Sequence, residues 1–136
     1  MHYFVATLIF LISFSASAEM PVEVIDSGSD SVGNRLIYKI KEKIRSSSSM
    51  GLTFDQTKLR MQARISTLDQ NTQNPGYSTA YSMVITWSNP DTPLPYYLNH
   101  FTGYCGSTRV DSCASDVVAA LSKQSDEIIR LLTNAK

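Results

Sequence analysis

Two cysteines and one histidine hold most of the distinctive chemistry in this sequence. Cys105 and Cys113 are its only cysteines, within Tyr104-Cys105-Gly106-Ser107-Thr108-Arg109-Val110-Asp111-Ser112-Cys113. Their spacing is wider than that of a Cys-x-x-Cys redox pair. In an oxidising compartment the pair reads as a structural disulfide, and loop entropy puts the value of so short a ring at about 2.6 kcal/mol. Were the thiols catalytic instead, Cys113 would be the acidic partner, because it lies where a helix begins and the helix dipole favours a thiolate. His100 could act as a general base, yet no nucleophile, base and orienting acid surround it in sequence. The sequence shows no phosphate-binding glycine loop, dinucleotide fingerprint, nucleophile elbow or helical His-Glu motif. With His2 near the amino terminus and His100 as the other histidine, a metal site is not expected, and neither is a cofactor.

The elements that must position these residues fit one domain. The chain has 136 residues, with 12 Lys+Arg against 12 Asp+Glu. That length suits a single core, and the balanced charge gives no general attraction for nucleic acid or an anionic membrane. An apolar run from Tyr3 to Phe14 precedes Ser15-Ala16-Ser17-Ala18, which has the small-residue form of a signal-peptidase site. Residues 1–18 are therefore read as a cleaved signal peptide, and 19–136 as a single domain exported to the periplasm. No later stretch approaches the roughly 20 apolar residues that span a bilayer.

Pro21 to Ile25 reads as a short strand. Asp30 or Ser29 then offers an N-cap for a helix whose apolar stripe is Val32, Leu36, Ile40 and Ile44, widened by Ile37. Gly33 beside that stripe would permit close approach to the sheet. Met50, Leu52 and Phe54 alternate as a strand, and a tight connection at Asp55-Gln56-Thr57 leads to the cleanest strand, Leu59 to Thr67. There, Leu59, Met61, Ala63 and Ile65 alternate with Arg60, Gln62, Arg64 and Ser66. A strand over Tyr77–Trp87 puts Tyr77, Tyr81, Met83, Ile85 and Trp87 on one side, the core side. A stiff proline loop, Asn89 to Pro95, precedes the last strand, Tyr96–Tyr104. Thr108 and Asp111 resemble a capping box for a final helix whose apolar stripe includes Cys113, Val117, Leu121, Ile128 and Leu132.

The first helix and its sequel, Asp30-Ser31-Val32-Gly33-Asn34-Arg35-Leu36 through Ile44-Arg45-Ser46 and into a strand, resemble the opening unit of the TolB amino-terminal domain and related envelope α/β modules. Tyr81-Ser82-Met83-Val84-Ile85-Thr86-Trp87, Tyr104-Cys105-Gly106 and Cys113-Ala114 resemble segments of small exported proteobacterial proteins. The resemblance covers about a quarter of the chain at its TolB-like part and carries no catalytic residue across. It implies a stand-alone periplasmic module that binds another protein.

The expected architecture is an α+β two-layer sandwich, a mainly antiparallel sheet of four to five strands with two helices on one face. The expected function is non-enzymatic binding or envelope assembly through protein–protein contacts, with an envelope or secreted protein as partner and no nucleic acid. The candidate contact surface is the open face or an edge of the sheet, and the candidate partner-binding residues are Arg60, Gln62 and Arg64 on its polar side. Arg35, Lys39 and Lys43 on the basic helix are the second set, although a charged helix face is ordinarily just solvated. The alternative from another class is a small secreted hydrolase or enzyme inhibitor using His100, the proline loop and nearby acids.

Overall fold

The computed structural model describes residues 19–135; residues 1–18, read above as a signal peptide, lie outside the described residues. Strand β1 (Met20–Gly28) leads to helix α1 (Ser31–Arg45) and the short strand β2 (Met50–Leu52). Strands β3 (Arg60–Asp69), β4 (Ser78–Ser88) and β5 (Tyr96–Gly106) follow, and helix α2 (Val110–Asn134) ends the described chain.

Asp30 starts α1. Its extended backbone sets up the turn, and its carboxylate accepts the Gly33 amide at 2.9 Å, satisfying one of the donors that a helix start leaves open. The same carboxylate accepts the Thr79 hydroxyl of β4 at 3.1 Å, so the cap also ties the helix to the sheet. Gly33 has no room for a β-carbon, which would run into the Thr67 side chain and Asp30. The close approach expected at this glycine is therefore real. Lys43 and Arg45 lie in the last turn, where cations suit the helix dipole.

The five strands run in the order β2-β1-β3-β4-β5. The two antiparallel ladders, β3 with β4 and β4 with β5, are the longest. β1, however, is parallel to both β2 and β3, so the sheet is mixed. The expected tight β2–β3 connection is absent for a physical reason: α1 is the crossover of a β1-α1-β2 unit, and such a crossover returns the chain parallel to β1. β2 thus occupies one flank of β1 and β3 the other, and the intervening residues 53–59 must pass over β1. Glu23 lies on the face opposite Val22 and Val24, and Gln56 reaches it with its side-chain amide, so this passage crosses the face away from the helices.

The helices cover the other face. Leu36, Ile40 and Ile44 of α1 and Ala114, Val117 and Leu121 of α2 join Val22, Met61, Ile65, Met83 and Ile85 of the sheet in one buried cluster. Tyr81 and Trp87 pack at its margin, as their phase with Met83 and Ile85 implies, whereas Tyr77 precedes β4 and is exposed. The capping box expected at Thr108 does not form: the N-cap is Arg109, and among the described residues no side chain caps the helix. The Arg109 amide instead turns back to the Gly106 carbonyl, and its own carbonyl accepts the Cys113 amide. Among the described residues no helix is long and apolar enough to cross a membrane.

Candidate functional site: the uncovered sheet face

Strand alternation places side chains of opposite phase to the core on the second face of the sheet, and register arranges them in rows across the strands. The first row is Glu23, Gln62, Thr86 and Tyr97; the second is Ile25, Arg64, Val84 and His100. The third is a line of hydroxyls, Ser27, Ser66, Ser82 and Thr102, with Ser27 and Ser66 hydrogen-bonded at 2.9 Å. The fourth is Leu68, Ala80 and Tyr104.

The 53–59 passage closes the first row and leaves the other end open. Beneath it, Arg60 makes an ion pair with Glu23, and both are buried. The Arg60 guanidinium also donates to the Gln56 and Lys58 carbonyls at 3.0 and 3.2 Å. Gln62 donates to Glu23 at 2.8 Å and accepts the Thr86 hydroxyl at 3.2 Å. Burial pushes the Glu23 carboxyl up, but hydrogen bonds from Arg60, Gln62 and Gln56 and the positive charge of Arg60 outweigh it, so the group sits below its ordinary range. Asp55 stiffens the passage by accepting both the amide and the hydroxyl of Thr57, at 3.0 and 2.6 Å, which lowers its own pKa.

The residues singled out from sequence thus separate. Arg60 and Gln62 are sealed under the passage, while Arg64 stands exposed on the open part of the face. Of the basic-helix set, Lys39 pairs with Glu42 at 2.8 Å and Lys43 with Asp111 at 3.2 Å. Arg35 and Lys39 line a groove of about 540 Å³ between α1 and the turn into α2, with Tyr38 and Thr108. Lys41, also on α1, pairs with Asp26 at 2.7 Å. Cys105 and Cys113 sit at disulfide-bonding distance with Cα atoms 6.1 Å apart, joining the end of β5 to the first turn of α2.

The open end of the face holds a second groove, of about 460 Å³, along Ser66, Leu68, Ala80, Ser82, Thr102 and Tyr104. Leu68 is 67% exposed and Tyr104 74%, with the small Ala80 between them in register. Two large apolar side chains flanking a small one make a shallow seat bordered by hydroxyls, suited to apolar contact and hydrogen bonding. These two residues were missed from sequence. The signal for Leu68 was present, because it continues the phase of Arg60, Gln62, Arg64 and Ser66 with an apolar residue; Tyr104 likewise shares the phase of His100 and Thr102.

His100 is exposed, and its Nδ1 lies 2.6 Å from the Tyr97 hydroxyl. It lines neither groove, and among the described residues no carboxylate is hydrogen-bonded to it. Among the described residues no cluster of three or more His, Cys, Asp or Glu is placed to hold a metal ion.

No protein-family model matches the chain, and no curated protein matches it. Among solved structures, a hypothetical protein, CT253, from Chlamydia trachomatis is similar at 10% identity and a TM-score of 0.42, over 84% of this chain and 96% of that one. The rare lipoprotein B from Shewanella oneidensis is similar at 13% identity and a TM-score of 0.35, over 83% of this chain and 98% of that one. These similarities do not show the resemblance to the TolB amino-terminal domain.

Proposed function

We propose that the protein is a non-enzymatic binding module of the bacterial envelope, held in the periplasm after removal of residues 1–18, and that it docks a partner protein on the open end of its sheet face. The observation that carries this reading is the Leu68–Ala80–Tyr104 row: large apolar side chains stand in solvent on a face whose other end the protein covers with its own chain. An exposed apolar seat with a polar border is what protein partners bury, and aromatic residues at the centre of such a seat supply most of the contact energy. Arg64 and the hydroxyl row provide the directional contacts around it. Residues 60 and 62 contribute indirectly, by fixing the 53–59 passage that bounds the site.

The test is recovery of partners from envelope extract on immobilised protein, comparing the wild type with Leu68→Glu/Tyr104→Ser and with Arg64→Glu. All three side chains are exposed, so the variants should keep the fold, which circular dichroism checks. Loss of the same partner from both variants supports the sheet-face site; recovery equal to wild type from both overturns it.

A further inference from the structure

The two edges of the sheet differ sharply. β2 presents three residues at one edge, whereas β5 presents eleven at the other. Exposed edges invite pairing, and monomeric proteins blunt them with lysines, prolines or bulges. β5 carries almost none of these. From Tyr96 to Gly106 there is no Lys, Arg, Asp, Glu or Pro. Its one irregularity lies near the start, opposite Ile85 and Thr86, and from Asn99 onward the ladder is regular.

The outward-facing groups of β5 follow from its inner ladder. Just beyond β5 the Ser107 amide donates to the Tyr77 carbonyl of the opposite chain at 2.8 Å. Antiparallel ladders alternate, so Cys105, Gly103, Phe101 and Asn99 turn their backbone groups toward β4. His100, Thr102 and Tyr104 turn theirs to the outer edge.

We propose that this edge pairs with β5 of a second copy of the chain, antiparallel about a two-fold axis, so that two five-stranded sheets become one continuous sheet. Two observations and one consequence of the pairing favour a second copy. An isologous antiparallel pair sets each strand against its own sequence, and an uncharged strand brings no like charges together there. Tyr97, His100, Thr102 and Tyr104 stand on one face along the edge and extend the contact beyond the backbone bonds. Finally, the assembly closes. Once the two β5 edges are joined, only the short β2 edges remain among the described residues, and these are too small to propagate a filament. This pairing shares Thr102 and Tyr104 with the open-face seat, whereas Arg64 and Leu68 of β3 lie two strands in from the joint.

Sedimentation equilibrium of the purified full chain tests it, together with amide hydrogen exchange at His100, Thr102 and Tyr104. The wild type should sediment at twice the chain mass with these three amides protected. Thr102→Lys places a cation on each copy at the joint without disturbing the inner ladder; it should sediment as a monomer, keep the wild-type circular dichroism spectrum, unfold at a midpoint that no longer depends on protein concentration, and exchange the His100 and Tyr104 amides rapidly. Arg64→Glu should remain dimeric, which separates this pairing from the partner surface. A monomeric wild type, a Thr102→Lys dimer, or a wild-type dimer whose three amides exchange freely overturns the proposal.

Discussion

Glu23 of β1 and Arg60 at the start of β3 form a buried ion pair across two parallel strands, under the chain that links β2 to β3. Isolated, either charge would be costly in this position, since desolvation is repaid only when every remaining lone pair and proton is satisfied. Here Gln56, Gln62 and two backbone carbonyls complete the set.

Arg60→Met should therefore destabilise the protein by about 3 to 5 kcal/mol, because it leaves the Glu23 carboxylate buried without its cation. Adding Glu23→Gln should recover part of that loss, since a neutral amide is cheaper to bury than an unpaired charge. Urea unfolding of the two variants and the wild type measures the difference. A double variant less stable than Arg60→Met alone would contradict the role given to the pair.

The same carboxylate sets an acid limit. Its pKa in the folded protein lies below its ordinary value of 4.5, so its contribution is complete above that value and is lost as pH falls through the folded pKa. Stability should decline in that acid window, and Glu23→Gln should flatten the decline while lowering stability at neutral pH. Thermal unfolding at a series of pH values from neutral down to acid, on both proteins, reads this directly.

Asp30 and Gly33 give a second local prediction. Asp30→Ala removes the cap to Gly33 and one of the acceptors of the buried Thr79 hydroxyl, which keeps the Leu68 and Ala80 carbonyls, and should cost about 0.5 to 2 kcal/mol. Gly33→Ala forces a methyl group against Thr67 and Asp30, and should cost about 1 to 3 kcal/mol through overpacking. Denaturant midpoints measure both. Asp30→Asn should lose less than Asp30→Ala, because an amide oxygen can still cap.

Much of this arrangement is legible in the residues. The four-residue apolar stripe of α1, the two-residue alternation of β3 and the large-residue side of β4 each name an element and its buried face, because local periodicity and burial have one cause. Strand pairing has another. Met50–Leu52 is the same strand whether it pairs with β3 or with β1, and only the path of α1 over the sheet decides between them. That choice then determines the fate of Arg60 and Gln62. In a hairpin their phase would face solvent; with residues 53–59 laid across β1, the same phase is buried at 60 and 62 and exposed at 64. The capping pattern at Thr108 failed for a related reason: the chain leaves β5 through a turn closed by Gly106, and that geometry starts the helix one residue later.

The Cys105–Cys113 pair yields the last prediction. Cys105 ends the edge strand and Cys113 lies in the first turn of α2, a helix whose start has no side-chain cap. A cross-link here holds the helix onto the strand where capping does not. Both side chains are buried, so the bond belongs to the core rather than to either groove. Mass mapping without reductant should find the two residues joined. Cys113→Ala, or reduction of the wild type, should lower stability by about 2 to 4 kcal/mol. Recovery of the partner by the folded variant should stay at the wild-type level, because Leu68 and Arg64 lie on the opposite face of the sheet. Loss of partner binding in a Cys113→Ala protein that is still folded would instead place the cysteines in the binding surface.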